Sequence, residues 1–256
     1  MRLQDRVAIV TGGGQGIGEG ICLELAREGA KVAVVDVVLE NAEKVARAIV
    51  DAGGEAIGLK ADVSNKAEAE KMVADTVARF GRLDILVNNA GINRDALFEK
   101  MTEEEWDAVI NVNLKGPFLC AQAALPEMRK NKYGRVINFS SKGGAAGNVG
   151  QVNYSASKMG VIGMTRSLAK EFGRYAAKDG ADFTCNAIMP GFFETPMSAK
   201  IPDKIKEGFI TQIPLGRTAQ PTEMGKVIAF LASPDASYIT GTAVGVDGGF
   251  FMGVQC

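Results

Sequence analysis

The chain contains no histidine, so proton transfer near neutral pH must fall to another side chain. In the stretch NYSASK, residues 153–158, Tyr154 and Lys158 stand four apart. On a helix that spacing places the ammonium about one turn from the phenol on the same face. An isolated tyrosine has a pKa of about 10 and is a poor base at pH 7. A neighbouring cation favours the phenolate and lowers that value, which makes the pair a candidate general acid and base. On an ordinary surface helix the same two residues would only cover apolar area. Their meaning therefore depends on what the rest of the chain brings beside them.

The segment TGGGQGIG (11–18) follows an apolar run at the amino end of the chain and opens a helical pattern. Glycines there allow a sharp turn and the close approach of a pyrophosphate to the amides of a helix N-terminus. Gly12, Gln15, Gly16, Ile17 and Gly18 are the candidate contacts. A glycine-rich turn can also serve only close packing, but Asp36 ends the second apolar run. A carboxylate at that point accepts hydrogen bonds from ribose hydroxyls and repels a 2′-phosphate. NAD is expected over NADP, because no Arg or Lys stands at 37 or 38. The competing reading of Asp36 is a cap for the next helix.

Seven runs read as strands: VAIVT (7–11), KVAVVD (31–36), EAIGLK (55–60), LDILVN (83–88), RVINFS (135–140), FTCNAI (183–188) and AVGVD (243–247). Most are continuously apolar, as in parallel strands covered on both faces. Between them helical periods predict helices at 16–28, 39–52, 66–80, 103–114 with 117–131, 152–172 and 221–232. Thr102 with the acids of TEEEW, and Pro221 with Glu223 in QPTEM, mark two helix starts. A βαβ series of this kind implies one α/β domain over 1–256. Its form is a doubly wound, seven-stranded parallel sheet with helices on both faces and the ligand at the carboxyl ends of the strands. Residues 189–216, rich in proline, break the rhythm and are expected to form a mobile cover over the site.

Taken jointly, TGGGQGIG, the DV pair at 62–63, NNAG at 88–91 and NYSASK are spaced as in the short-chain dehydrogenase/reductase family, and the resemblance spans essentially the whole chain. It implies a Rossmann-type sheet and hydride transfer between C4 of a nicotinamide and a carbonyl or carbinol carbon. Asp62 and Val63 would contact adenine, and Asn89 would stabilise the sheet beneath the cofactor, with Ala90 and Gly91 beside the ribose. Pro190, Gly191 and Thr195 of PGFFET would touch the nicotinamide amide. Lys158 matches the family lysine that also holds the nicotinamide ribose. Ser141, 13 residues before Tyr154, matches the serine that binds the substrate oxygen, with Ser140 as the second candidate. Asn113, in NVNLKG, matches the asparagine that holds a water in a relay to the lysine. Without the other motifs Asn88 and Asn89 would read as a turn pair.

The segment 92–116 resembles most closely the 3-oxoacyl thioester reductases of that family, which act on acyl carrier protein or coenzyme A derivatives. Secondary alcohol dehydrogenases, cyclic or aryl, are also similar. Biosynthetic members mostly use NADPH, so Asp36 departs from that pattern. The run MRKNK (128–132) with Arg174 could meet an acidic carrier protein or coenzyme A phosphates, or could be a solvated helix end. The connection 173–188 is longer than the resemblance implies. A homotetramer is also implied, with the apolar tail 248–256 packed near a subunit contact.

With 29 basic and 30 acidic residues and a net charge of -1, neither nucleic acid nor an anionic membrane is an expected partner. No apolar run approaches the ~18 residues of a spanning helix, and MRLQDR runs straight into the first strand without a signal peptide. A cytoplasmic protein is expected. The four cysteines lack paired spacing and are expected to be reduced, with no metal site. A protein of this fold that binds NAD as a scaffold or sensor without turning it over is the remote alternative.

Overall fold

The apolar β-branched runs pair side by side into one parallel sheet of seven strands, ordered β3-β2-β1-β4-β5-β6-β7. The computed structural model describes residues 1–196, 198–250 and 252. The strands are β1 (Val7–Thr11), β2 (Lys31–Asp36), β3 (Ala56–Lys60), β4 (Ile85–Asn88), β5 (Tyr133–Phe139), β6 (Asp182–Pro190) and β7 (Ala243–Val246). Side chains alternate between two cores. Ala8, Val10, Val32, Val34, Ile85 and Val87 face α1 (Gly16–Arg27), α2 (Leu39–Asp51) and α9 (Pro221–Leu231). Ile9, Ala33, Val35 and Leu86 face α3 (Lys66–Phe80), α5 (Gly116–Asn131) and α7 (Val152–Asp179). Burial on both faces explains why the strands read as unbroken apolar runs. After β3 the chain crosses to the other side of β1, so β1 and β4 diverge at their carboxyl ends and open a crevice there.

Two helix starts form as the capping residues dictate. Thr102 and Glu105 close a capping box on α4 (Glu103–Ile110), and Gln220 and Glu223 do so on α9. The expected helices 103–114 and 117–131 are instead α4 and α5, joined without a break by a π-helical turn over Asn111–Lys115. Such wide turns recur at functional sites, and this one carries Asn113 into the interior.

The expected helix at 152–172 runs two turns further, to Asp179, and stops at Gly180 in the left-handed conformation (φ 61). Its last turns are held on the end of α5, where Arg129 pairs with Asp179 at 2.8 Å and lies over the Tyr175 ring at 4.6 Å. The long connection is therefore helix rather than loop.

The segment after β6 leaves and returns through a closed base. Phe193 bridges Ala219, the Glu194 amide donates to Ala219 O at 2.9 Å, and Ala219 N donates to Phe192 O at 3.0 Å. Between these legs lies α8 (Asp203–Ile210), after a short 3-10 turn at Ser198–Lys200 and α6 (Lys142–Ala146) earlier in the chain. Phe209 of α8 stacks on Phe192 with ring centres 5.4 Å apart. Cys22, Cys120 and Cys185 are free thiols in the core. Cys256 and most of the tail expected at a subunit contact lie outside the described residues. Among the described residues no helix is long and apolar enough to cross a membrane.

Candidate active site

The crevice holds a cavity of about 460 Å³ lined by Gly12, Gln15, Gly16, Ile17, Gly18, Asp36, Asp62, Val63, Asn89, Ala90, Gly91 and Thr195. The glycine turn is shaped by contact. Gly12 has φ +61, and a Cβ on it would lie 2.9 Å from the Ala90 Cα; a Cβ on Gly18 would lie 2.0 Å from Gly12 O. Gln15 precedes α1 without a side-chain cap, so the first N–H groups of the helix are left for a ligand at this cavity. Those donors, the bare backbone and the cavity fit a dinucleotide pyrophosphate.

Asn89 lines the cavity, and its Nδ2 donates to Thr11 O at 3.0 Å and Gly12 O at 2.9 Å. Thr11, which the sequence did not single out, completes the lock, its Oγ1 accepting from the amides of Asn89 at 3.1 Å and Ala90 at 3.2 Å. Asp36 is buried and makes the capping contacts of its competing reading. Oδ2 accepts from Gly14 N and Oδ1 from Val38 N, each at 3.1 Å, so it caps the turn into α2 while lining the cavity. Each carboxylate oxygen has a further lone pair for a hydroxyl donor. Asp62 turns onto Ser64, accepting from its amide at 2.9 Å and its hydroxyl at 2.7 Å, which presents Val63 to the cavity.

A second chamber of about 310 Å³ opens from the first, sharing Ile17, Asn89, Gly91 and Thr195 with it. Ser141, Tyr154, Lys158, Pro190 and Gly191 line it together, with Phe192, Ser198 and Ile201 from the excursion after β6. Tyr154 and Lys158 lie on the first two turns of α7. The two serines have different partners. Ser140 is buried and its hydroxyl donates to Lys158 O at 2.7 Å, a structural role. Ser141 caps α6, accepting from Gly144 N at 3.0 Å, and it lines the chamber beside Tyr154, where its side chain favours the phenolate.

Lys158 is buried and its Nζ donates to Phe139 O at 2.9 Å, 5.5 Å from the centre of the Tyr154 ring. Burial without a carboxylate pushes its pKa down to about 8. The expectation that this ammonium makes the phenol acidic is not met by the chain's own groups. Burial raises the Tyr154 pKa, the hydrogen bond from Ser141 opposes it, and the charge of Asp95 adds to the rise. Among the groups that act on the phenol, Ser141 carries the lowering influence.

Asn113 lines neither chamber. Its Oδ1 accepts from Ile92 N at 2.8 Å, and its Nδ2 donates to Ile92 O at 3.0 Å and Ser157 Oγ at 3.3 Å. A Cβ on Gly91 would lie 3.3 Å from that Oδ1 and 3.4 Å from Lys158 Nζ, so the two side chains flank the same glycine. The basic run is elsewhere. Arg129 and Lys130 pair with Asp179 and Glu127 at the end of α5, which leads into the amino end of β5, opposite the chambers.

Set beside known proteins, residues 12–251 match the family described as enoyl-(acyl carrier protein) reductase. The chain belongs to the short-chain dehydrogenase/reductase family. It is 45% identical over 252 residues to the 3-oxoacyl-[acyl-carrier-protein] reductase FabG of Thermotoga maritima, covering 98% of this chain and all of that protein. It is 42% identical to the (2S)-[(R)-hydroxy(phenyl)methyl]succinyl-CoA dehydrogenase subunit BbsD of Thauera aromatica, covering 97% of this chain and 98% of the other. Among solved structures it superposes on levodione reductase with a TM-score of 0.91 and 40% identity, over 98% of this chain and all of that one. This short-chain dehydrogenase/reductase is thus an oxidoreductase of a family that works with a nicotinamide cofactor.

Proposed function

We propose that this enzyme interconverts 3-oxoacyl and 3-hydroxyacyl thioesters using NAD(H). The observation that carries the reading is the convergence of Ser141, Tyr154 and Lys158 on one chamber continuous with the dinucleotide cavity. When bound, the nicotinamide supplies or accepts hydride at its C4. Ser141 and Tyr154 hold the substrate oxygen between two hydroxyl groups, and in reduction Tyr154 gives its proton to that oxygen as charge develops on it. In the reverse direction the phenolate takes the proton from the alcohol. Lys158 would hold the nicotinamide ribose, and Asn113 fixes Gly91 and Ile92 beside it. A water held near Asn113 would relay protons to Lys158.

The thioester assignment draws on the relatives. One is named for a 3-oxoacyl carrier-protein substrate and another for a coenzyme A thioester bearing a hydroxyl two carbons from the thioester carbonyl. NAD over NADP rests on Asp36, whose carboxylate would repel a 2′-phosphate, with the apolar Val37 after it in the same cavity. The second reading, a cyclic or aryl ketone as substrate, is favoured by the likeness to levodione reductase. Initial rates with NADH and NADPH on acetoacetyl coenzyme A, an acyl carrier thioester and simple cyclic ketones separate these. Turnover of a cyclic ketone with none on either thioester replaces the first reading with the second.

A further inference from the structure

A 3-oxoacyl thioester has two arms at its reacting carbonyl. The thioester arm ends in a bulky carrier and must leave toward solvent, so the alkyl arm needs room inside the protein. A separate cavity of about 220 Å³ supplies it. Phe192 and Phe193 line both this cavity and the reaction chamber and form the wall between them. The remaining walls are mainly Ile213, Leu215, Ala219, Val227 and Val246.

The polar groups at its edge are already used. Arg217 and Glu223 pair at 2.7 Å, and Asp247 accepts from the Gly249 amide at 3.0 Å. The cavity is partly open to solvent rather than an enclosed void. It holds roughly seven water-sized groups. Leu215 stands 67% exposed beside it. Phe192 is half-buried and backed by Phe209 of α8, so the partition belongs to the excursion over the site rather than to the sheet.

We propose that this cavity is the subsite for the apolar tail of the substrate, a straight alkyl chain entering past Phe192. The proposal rests on the thioester reading above. Burial of each methylene favours binding by about threefold to fourfold. The wild-type kcat/KM therefore rises from acetoacetyl to 3-oxooctanoyl coenzyme A, chiefly through KM, and levels off by 3-oxododecanoyl coenzyme A.

The test is the ratio of kcat/KM on 3-oxooctanoyl to that on acetoacetyl coenzyme A, which within one preparation does not depend on how much of it is folded. Ala219→Leu fills the cavity while keeping the backbone bonds to Phe192 and Glu194, and lowers that ratio at least about tenfold. Val227→Ala enlarges the cavity and moves the preference toward 3-oxododecanoyl coenzyme A. Thioester turnover with the wild-type ratio in both variants overturns the subsite and leaves the thioester reading standing. Wild-type enzyme that reduces a cyclic ketone and none of the three thioesters overturns both.

Discussion

At the amino ends of the central strands, Asp84 is fully buried and receives the Val7 amide at 3.0 Å, Arg6 at 3.5 Å and Arg82 at 2.6 Å. Arg135, equally buried, pairs with Asp182 at 2.6 Å. The Tyr133 ring lies between Arg6 at 3.6 Å and Arg135 at 4.2 Å. At the carboxyl ends of the same strands Lys158 is as deeply buried, yet its partner is a carbonyl oxygen. A buried ammonium facing only a dipole is left partly uncompensated, and its pKa falls. One end of the sheet pairs its buried charges within the chain, although Arg135 Nε has no hydrogen-bond partner. The other holds a cation, a phenol and a serine ready for a ligand, and gives up stability for that readiness.

Substitutions at the two ends should therefore separate activity from stability. Tyr154→Phe has the largest expected effect, a loss of at least about a hundredfold in turnover with the melting temperature nearly unchanged. Steady-state rates decide it, and a variant keeping more than about a tenth of the wild-type rate breaks the assignment. Asp182→Ala does the converse at the amino end. It strips the carboxylate from Arg135 and lowers stability by about 1–3 kcal/mol, moderated because Asp182 is partly exposed, while kcat per folded molecule holds. Denaturant titration beside active-site-normalised rates would show it; a fall in kcat with unchanged stability would mean that the two ends are not independent.

Asp36→Asn sharpens the cofactor side. The ratio of kcat/KM for NAD(H) over NADP(H) should fall about tenfold, since removing the charge removes repulsion of a 2′-phosphate. An unchanged ratio would leave Asp36 only as the cap of the turn into α2. The smallest effect lies in pH. The folded pKa of Lys158 is lowered from 10.5 to about 8, so between those values the unfolded chain binds the additional proton. Stability of the protein alone thus gains from rising pH across that window, and the cost of burying the charge is fully present below it. Lys158→Met removes this contribution, so the difference in unfolding free energy between the two proteins should shrink from pH 7 to pH 10. A constant difference would show that Lys158 is not buried as a reluctant cation.

Much of this arrangement was legible in the residue order. The central strands stood out because strands buried on both faces carry no alternation, the edge strands β3 and β7 being only partly buried, and strand ends moved by no more than one or two residues. The helix starts marked by Thr102 and by Pro221 with Glu223 were readable because they depend on near neighbours. The final two turns of α7 were not, since residues 173–179 have no strong local stop and are held by Arg129, 50 residues away from Asp179. Nor was Thr11 recognisable as a lock, because its partners Asn89 and Ala90 follow β4, far along the chain.

By itself the sequence determined the doubly wound class, the dinucleotide turn and the spacing of Tyr154 from Lys158, all of which follow from periodicity and from contacts within a few residues. Only the tertiary structure decided that Ser141 rather than Ser140 meets the phenol, that Asn113 grips Ile92, and that burial raises the tyrosine while lowering the lysine. Those outcomes depend on desolvation and on partners from distant strands, and neither is a property of local order.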